Sequence, residues 1–191
     1  MKRLFACFVL LLCSACIQLG SEPVSTSYYL LNGLPATAEP LSTDKITVSI
    51  SLDYFPTYLE RREIVTHDTD GRVIIAKHDA WAEPLQDNFL RVLRNNLSHL
   101  LPQAQINLQP WEKSPDDAIH LNVLINDFSG RLNERARLDI SWTITAPQQE
   151  AKQRFQEEID VAPGYLPLVT GLDRGLDNFS LAVAQHMLTQ K

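Results

Sequence analysis

The sequence predicts an α/β fold: a mixed, largely antiparallel sheet of seven or eight strands, packed with two main helices as a sandwich. Three observations carry that expectation. Residues 46–52, 119–125 and 138–144 alternate apolar with polar side chains, which puts one face of each strand on a core and the other towards water. Residues 83–101 and 165–189 repeat apolar residues at helical spacing. The chain has 191 residues with 45% hydrophobic and 21% charged, close to an ordinary globular composition and sufficient for one domain.

Each element follows in order. Tyr28-Tyr29-Leu30-Leu31 is aromatic and apolar and reads as a first strand. Gly33, Pro35 and Pro40 make residues 32–43 a loop. In 45–53, Ile46, Val48, Ile50 and Leu52 alternate with Thr47, Ser49, Ser51 and Asp53. Pro56 then denies a ladder donor and interrupts the pattern. Residues 63–67 and 72–77 are short β-rich runs joined by Asp68-Thr69-Asp70-Gly71, a hairpin signature. Leu85, Phe89, Leu93, Leu97 and Leu100 draw one apolar stripe on the first helix, with Pro84 in its first turn and Pro102 as its stop. Residues 105–108 make a short strand. The runs containing Ile119, Leu121, Val123, Ile125 and Leu138, Ile140, Trp142, Ile144 are antiparallel neighbours across a polar stretch, 126–136. Residues 152–161 are a weaker strand. Leu168, Leu172, Leu176, Phe179, Val183 and Met187 line the last helix, where Gly171 and Gly175 each cost about 1 kcal/mol relative to Ala. Close packing of that helix on a sheet is the reason to keep them.

The formal charge is −6, which argues against nucleic acid, because phosphate binding is driven by Lys and Arg. The apolar run near the N-terminus is shorter than the ~20 residues that span a bilayer. All three cysteines, Cys7, Cys13 and Cys16, lie in the first sixteen residues, leaving the rest without disulfides or thiolate metal ligands.

The N-terminus is an address. Lys2 and Arg3 precede the apolar Leu4-Phe5-Ala6-Cys7-Phe8-Val9-Leu10-Leu11-Leu12, and Cys13-Ser14-Ala15-Cys16 follows. This pattern resembles a bacterial lipobox, cut before the cysteine that is then lipidated. Cys13 departs from the usual Leu; cleavage before Cys13 instead would place Leu12 at the cut, a poor fit, so Cys16 is the expected lipidation site. An ordinary signal or an uncleaved anchor is the bland alternative. The expected organisation is a signal peptide at 1–15, a lipidated tether at 16–27 and one periplasmic domain at 28–191. Several acyl chains, palmitate among them, hold stably without help from charge. None is offered: without Lys2 and Arg3 there remain 15 basic against 23 acidic residues. The flexible tether of about ten residues reaches at most about 35 Å. Ile17, rather than Asp, follows the cysteine, which for this class points to the outer membrane, periplasmic face.

Catalytic signatures are missing. There is no Gly-x-Gly-x-x-Gly, Walker-type loop, Gly-x-Ser-x-Gly or His-Glu-x-x-His. His67 with Asp68 and Asp70 could face His78 with Asp79 across the hairpin and hold a divalent metal; a solvated hairpin explains the same residues, and no metal or other cofactor is expected. Glu157, Glu158 and Asp160 read as a solvated strand face.

Trp81-Ala82-Glu83-Pro84-Leu85, running into a helix that ends Asn96-Leu97-Ser98-His99-Leu100-Leu101-Pro102, is similar to the ABC-type transport auxiliary lipoprotein family, in particular its PqiC-like (paraquat-inducible protein C, YmbA-like) branch. Tyr28-Tyr29-x-Leu31, Asp53-Tyr54 near Tyr58-Leu59, Ile64-Val65, Leu121-Asn122-Val123 and Phe128-Ser129-Gly130-Arg131 fit in the same order. The resemblance implies an α/β sandwich and a non-enzymatic auxiliary component of a PqiABC-like MCE intermembrane lipid transport system, important for membrane integrity. It implies a PqiB-like MCE-domain membrane protein as partner, alongside the membrane itself through the lipid anchor; self-association into a homo-oligomer is left open. Aromatic residues and arginine anchor interfaces, so Tyr28, Tyr29, Tyr58, Arg61 and Trp81 are the expected contact residues, with packing as the alternative for each. The rival functions are a lipid-anchored periplasmic hydrolase assembled from distant residues and a direct lipid-binding carrier.

Overall fold

The computed structural model describes residues 24–115, 117–146 and 149–189. The expected signal peptide at 1–15 and the expected lipidation site Cys16 lie outside the described residues. Among the described residues, eight strands and two α-helices follow in the order β1 (Ser27–Tyr29), β2 (Thr47–Tyr54), β3 (Glu63–His67), β4 (Val73–Trp81), α1 (Leu85–Leu100), β5 (Gln105–Leu108), β6 (Ile119–Arg131), β7 (Arg135–Ala146), β8 (Gln149–Asp160) and α2 (Tyr165–Thr189).

The strands form two mixed sheets, one ordered β1-β4-β3 and one ordered β5-β2-β6-β7-β8. The long β6–β7 and β7–β8 ladders are antiparallel, as is β3–β4, while β1–β4, β2–β5 and β2–β6 are parallel. Pro56 is where the chain leaves the large sheet. It precedes a single 3-10 turn, Thr57–Leu59, closed by Leu59 N–H on the Pro56 carbonyl at 2.9 Å. From there β3 and β4 build the second, smaller sheet.

The polar stretch expected between β6 and β7 is largely strand. The register shifts between Ile125 and Asp127, so a bulge moves the pattern by one residue. After it, Phe128 returns to the core while Asp127 and Ser129 point the other way. The true turn is Leu132-Asn133-Glu134, with Asn133 at φ +66°.

Both helices cover one face of the large sheet. Phe89 of α1 packs edge-on to Phe128 at 5.5 Å between centroids. Phe179 of α2 stands between Phe89, Trp142 and Phe155 at 5.6 to 6.4 Å. The expected stripe residues on both helices are buried. The glycines of α2 have the reason anticipated for them. A Cβ on Gly171 would lie 2.8 Å from Ala136 Cβ and 2.6 Å from Val161 Cγ1, and one on Gly175 would collide with the side chain of Leu138.

Candidate docking site

The first described segment is pinned to the core from β1 onward. β1 pairs with β4 from Ser27↔Asp79 to Tyr29↔Trp81. Beyond it, Leu31 N–H donates to Asn88 Oδ1 at 2.8 Å, and Asn88 Nδ2 returns a bond to the Leu31 carbonyl at 3.3 Å. Asn32 and Gly33 N–H both donate to Asp173 Oδ1, at 2.9 and 3.0 Å. Leu34 N–H donates to Asn96 Oδ1 at 2.8 Å, while Asn96 Nδ2 donates to Asp177 and to Ser180 Oγ at 2.9 and 3.1 Å. Buried polar groups must find such partners, and here they tie a loop to α1 and α2. Burial pushes the Asp177 carboxyl up to about 6, against the opposing Asn96 bond. Reading the sequence for chemistry missed this clamp. Its signal was two asparagines, eight residues apart, within an otherwise apolar helix face.

The five expected contact residues separate. Tyr28 is 60% exposed, next to exposed Leu30 and Leu166. Tyr29 is half-buried and donates to Asp79 Oδ1 at 2.7 Å, and burial with that bond raises its phenol above the usual range. Tyr58 donates to Asp127 Oδ1 at 3.1 Å and meets His67 edge-on at 5.8 Å; burial foremost, then the Asp127 charge, holds its proton on. Arg61 is exposed. Trp81 is a correction: it is 3% exposed and part of the core, because β4 runs on to Trp81 and pairs it with Tyr29 instead of ending at residue 77.

Around Arg61 lies a cleft of about 400 Å³. Its floor is Phe55, Leu59, Pro84 and Leu85; its rim is Glu60, Arg61, Arg62 and Gln86. Local structure explains why its floor is packed and its rim charged. The 3-10 turn buries Phe55 and Leu59. Trp81 N–H holds the Arg62 carbonyl at 2.7 Å, fastening the Glu60-Arg61-Arg62 segment to the end of β4. Pro84 starts α1 without a side-chain cap, and Asp87 in the first turn meets the positive end of the helix dipole beside the cleft.

Other candidate clusters do not assemble. His67 pairs with Val73 at the hairpin tip, whereas Asp79 sits at the far end of β4 bonded to Tyr29. The two His/Asp groups therefore do not face one another, and among the described residues no three His, Cys, Asp or Glu gather to hold a metal. The hairpin turn explains Asp68 instead. It accepts from Asp70 N–H, Arg72 N–H and Arg72 Nε at 2.6 to 3.0 Å, and the Arg72 backbone bond foremost keeps it ionised. Glu157 takes Asn178 of α2, while Glu158 pairs with Arg135 at 2.6 Å, so successive carboxylates of that run point to opposite faces. Among the described residues no helix is long and apolar enough to cross a membrane.

The two-sheet α/β body, its pinned N-terminal entry and its surface clefts define the fold, and comparison with known proteins supplies the class. Residues 28–184 match the ABC-type transport auxiliary lipoprotein component family, and the chain belongs to that family, as an auxiliary lipoprotein of ABC-type transport. It is 27% identical over 177 residues to the intermembrane transport lipoprotein PqiC of Escherichia coli K12, covering 88% of this chain and 89% of that one. The PqiC of Shigella flexneri matches to the same extent. Among solved structures, the crystal structure of an uncharacterized protein superposes with a TM-score of 0.72 at 24% identity, over 85% of this chain and 99% of that one. A Xanthomonas campestris protein superposes at 0.68 with 11% identity, over 86% and 100%. These two share the fold.

Proposed function

We propose that this chain is an outer-membrane-anchored, non-enzymatic adaptor of an MCE-type intermembrane lipid transport system, held by acyl groups on Cys16 with its globule on the periplasmic side. Membership of the auxiliary lipoprotein family over residues 28–184 carries the reading. The PqiC relatives and the lipobox-like Cys13-Ser14-Ala15-Cys16 support it. The clamp adds a physical argument. A load on the tether passes through β1 and four loop residues into both helices, so the anchor pulls on the core and not on a loose end. The surface candidates for the partner are Tyr28, Tyr29, Tyr58 and Arg61.

Intact mass of the protein isolated from cells tests the anchor: a chain beginning at Cys16 with added acyl groups is expected. Cys16→Ala should accumulate as unprocessed precursor and leave the outer-membrane fraction. In-cell crosslinking of the wild type should recover an MCE-domain protein. A mature chain starting elsewhere, or recovery of no envelope transport component, overturns the reading.

A further inference from the structure

Seven of the ten arginines among the described residues hold a carboxylate within 3.7 Å. Arg61, Arg62 and Arg174 do not. In a chain with 23 acidic and 17 basic residues, two adjacent guanidinium groups without ion pairs are an imbalance, and both stand over an apolar cleft. From the geometry we infer that this cleft docks an acidic segment of a protein partner, which seats one aromatic or aliphatic side chain on the floor of Phe55, Leu59, Pro84 and Leu85 and sets carboxylates against Arg61 and Arg62. The inference rests on the adaptor reading and states the partner's chemistry.

Three features select that occupant. Apolar floor plus arginine rim is the composition in which a few interface residues carry most of the binding energy. Glu60 is the one carboxylate among the lining residues, against two arginines, and the carboxylate of the adjoining first turn of α1 is Asp87, one residue beyond the lining. The size decides between protein and lipid: about 400 Å³ is near the lower end for one small ligand. That is room for one or two side chains and too little for both acyl tails of a phospholipid. Phe55, Leu59 and Leu85 are fixed in the packed interior and show only their edges to the cleft, while Pro84 is exposed, so docking needs only the two arginine side chains to order.

The test uses the full-length lipoprotein in cells, with photoreactive p-benzoylphenylalanine in place of Gln86 on the rim. Irradiation should yield a protein adduct, and mass spectrometry should map it to a segment with at least one Asp or Glu beside an apolar residue. Charge reversal at both Arg61→Glu and Arg62→Glu should lower the yield by about tenfold or more, as for an interface anchor, while Arg174→Glu leaves it unchanged. Both arginines are exposed, so the variants keep the fold. A label that extracts with lipid, an adduct without carboxylates, no adduct, or a yield indifferent to charge reversal overturns the cleft assignment. No adduct at residue 86 beside normal crosslinking to an MCE protein overturns this inference alone. An acidic adduct on a protein outside any transport system supports the cleft and overturns the adaptor reading.

Discussion

The two faces of the five-stranded sheet are held by different physics. On the helix side, Leu138, Ile140, Trp142 and Ile144 of β7 meet α2 without a charge between them. On the open side, Asp139 lies between Leu138 and Ile140 in sequence and is just as buried. It is held by Arg154 through two bonds of 2.8 and 2.7 Å, by Asn126 at 3.1 Å and by Gln156 at 3.0 Å. One strand thus carries a packed face, where shape decides, and a bonded face, where donors and acceptors decide. The packed face has no slack for an added atom, whereas the bonded face can lose a partner and fill the gap with water.

That contrast sets the order of expected mutational effects. Gly175→Val should be the most damaging, because its side chain collides with Leu138; α2 must lift, at a cost of about 3 kcal/mol or more, seen as a large drop in the denaturant midpoint. A loss below 1 kcal/mol would mean that the packed face is looser than its geometry. Asn96→Ala should cost about 2 kcal/mol, since it leaves Leu34 N–H and Ser180 without their buried partner, and exchange of the Leu34 amide should speed up. Asp139→Ala on the bonded face should cost less, about 1 kcal/mol, because Arg154 is mostly exposed and rehydrates.

The smallest effect has the opposite sign. Asp177→Asn should stabilise by about 1 kcal/mol at neutral pH and by nothing near pH 4. The native state raises this carboxyl from 3.8 to about 6, so it binds its proton more tightly than the unfolded chain. Its contribution therefore falls as pH rises from 4 to 6. Asp139 does the reverse. Arg154 above all holds it down at about 2, so its contribution is complete above pH 4 and disappears as pH falls towards 2. A stability–pH curve in which Asp177→Asn removes the descent between pH 4 and 6, and Asp139→Asn flattens only the acid limb, would establish both assignments. A curve unchanged by either would refute them.

Legibility followed the same division. Apolar periodicity alone located α1, α2 and the strand centres, and the glycine pair on α2 was readable as a contact because nothing else justifies its helix cost. Strand ends were less legible. The bulge after Ile125 moves Phe128 out of phase, so 126–136 reads as one polar stretch although Phe128 and Gly130 pair with Leu138 and Ala136. Trp81 looked like an interface residue because its type is common there; only the parallel pairing of β1 with β4 made it core. The Asn88–Asn96–Asp173–Asp177 clamp was invisible for a similar reason, as its loop partners lie 57 to 141 residues away in the chain.

The sequence by itself determined both helices and the centres of the strands, which of their faces are apolar, and the order of residue types in the lipobox-like Cys13-Ser14-Ala15-Cys16, because those depend on residue type and local spacing. Tertiary structure decided that eight strands divide into two sheets, which aromatic residues remain at the surface, and that Arg61 and Arg62 share an opening with Leu59 and Leu85. Those outcomes depend on which distant segments come together. Burial, ion pairing and cleft formation are properties of neighbours in space, and a linear pattern does not list them.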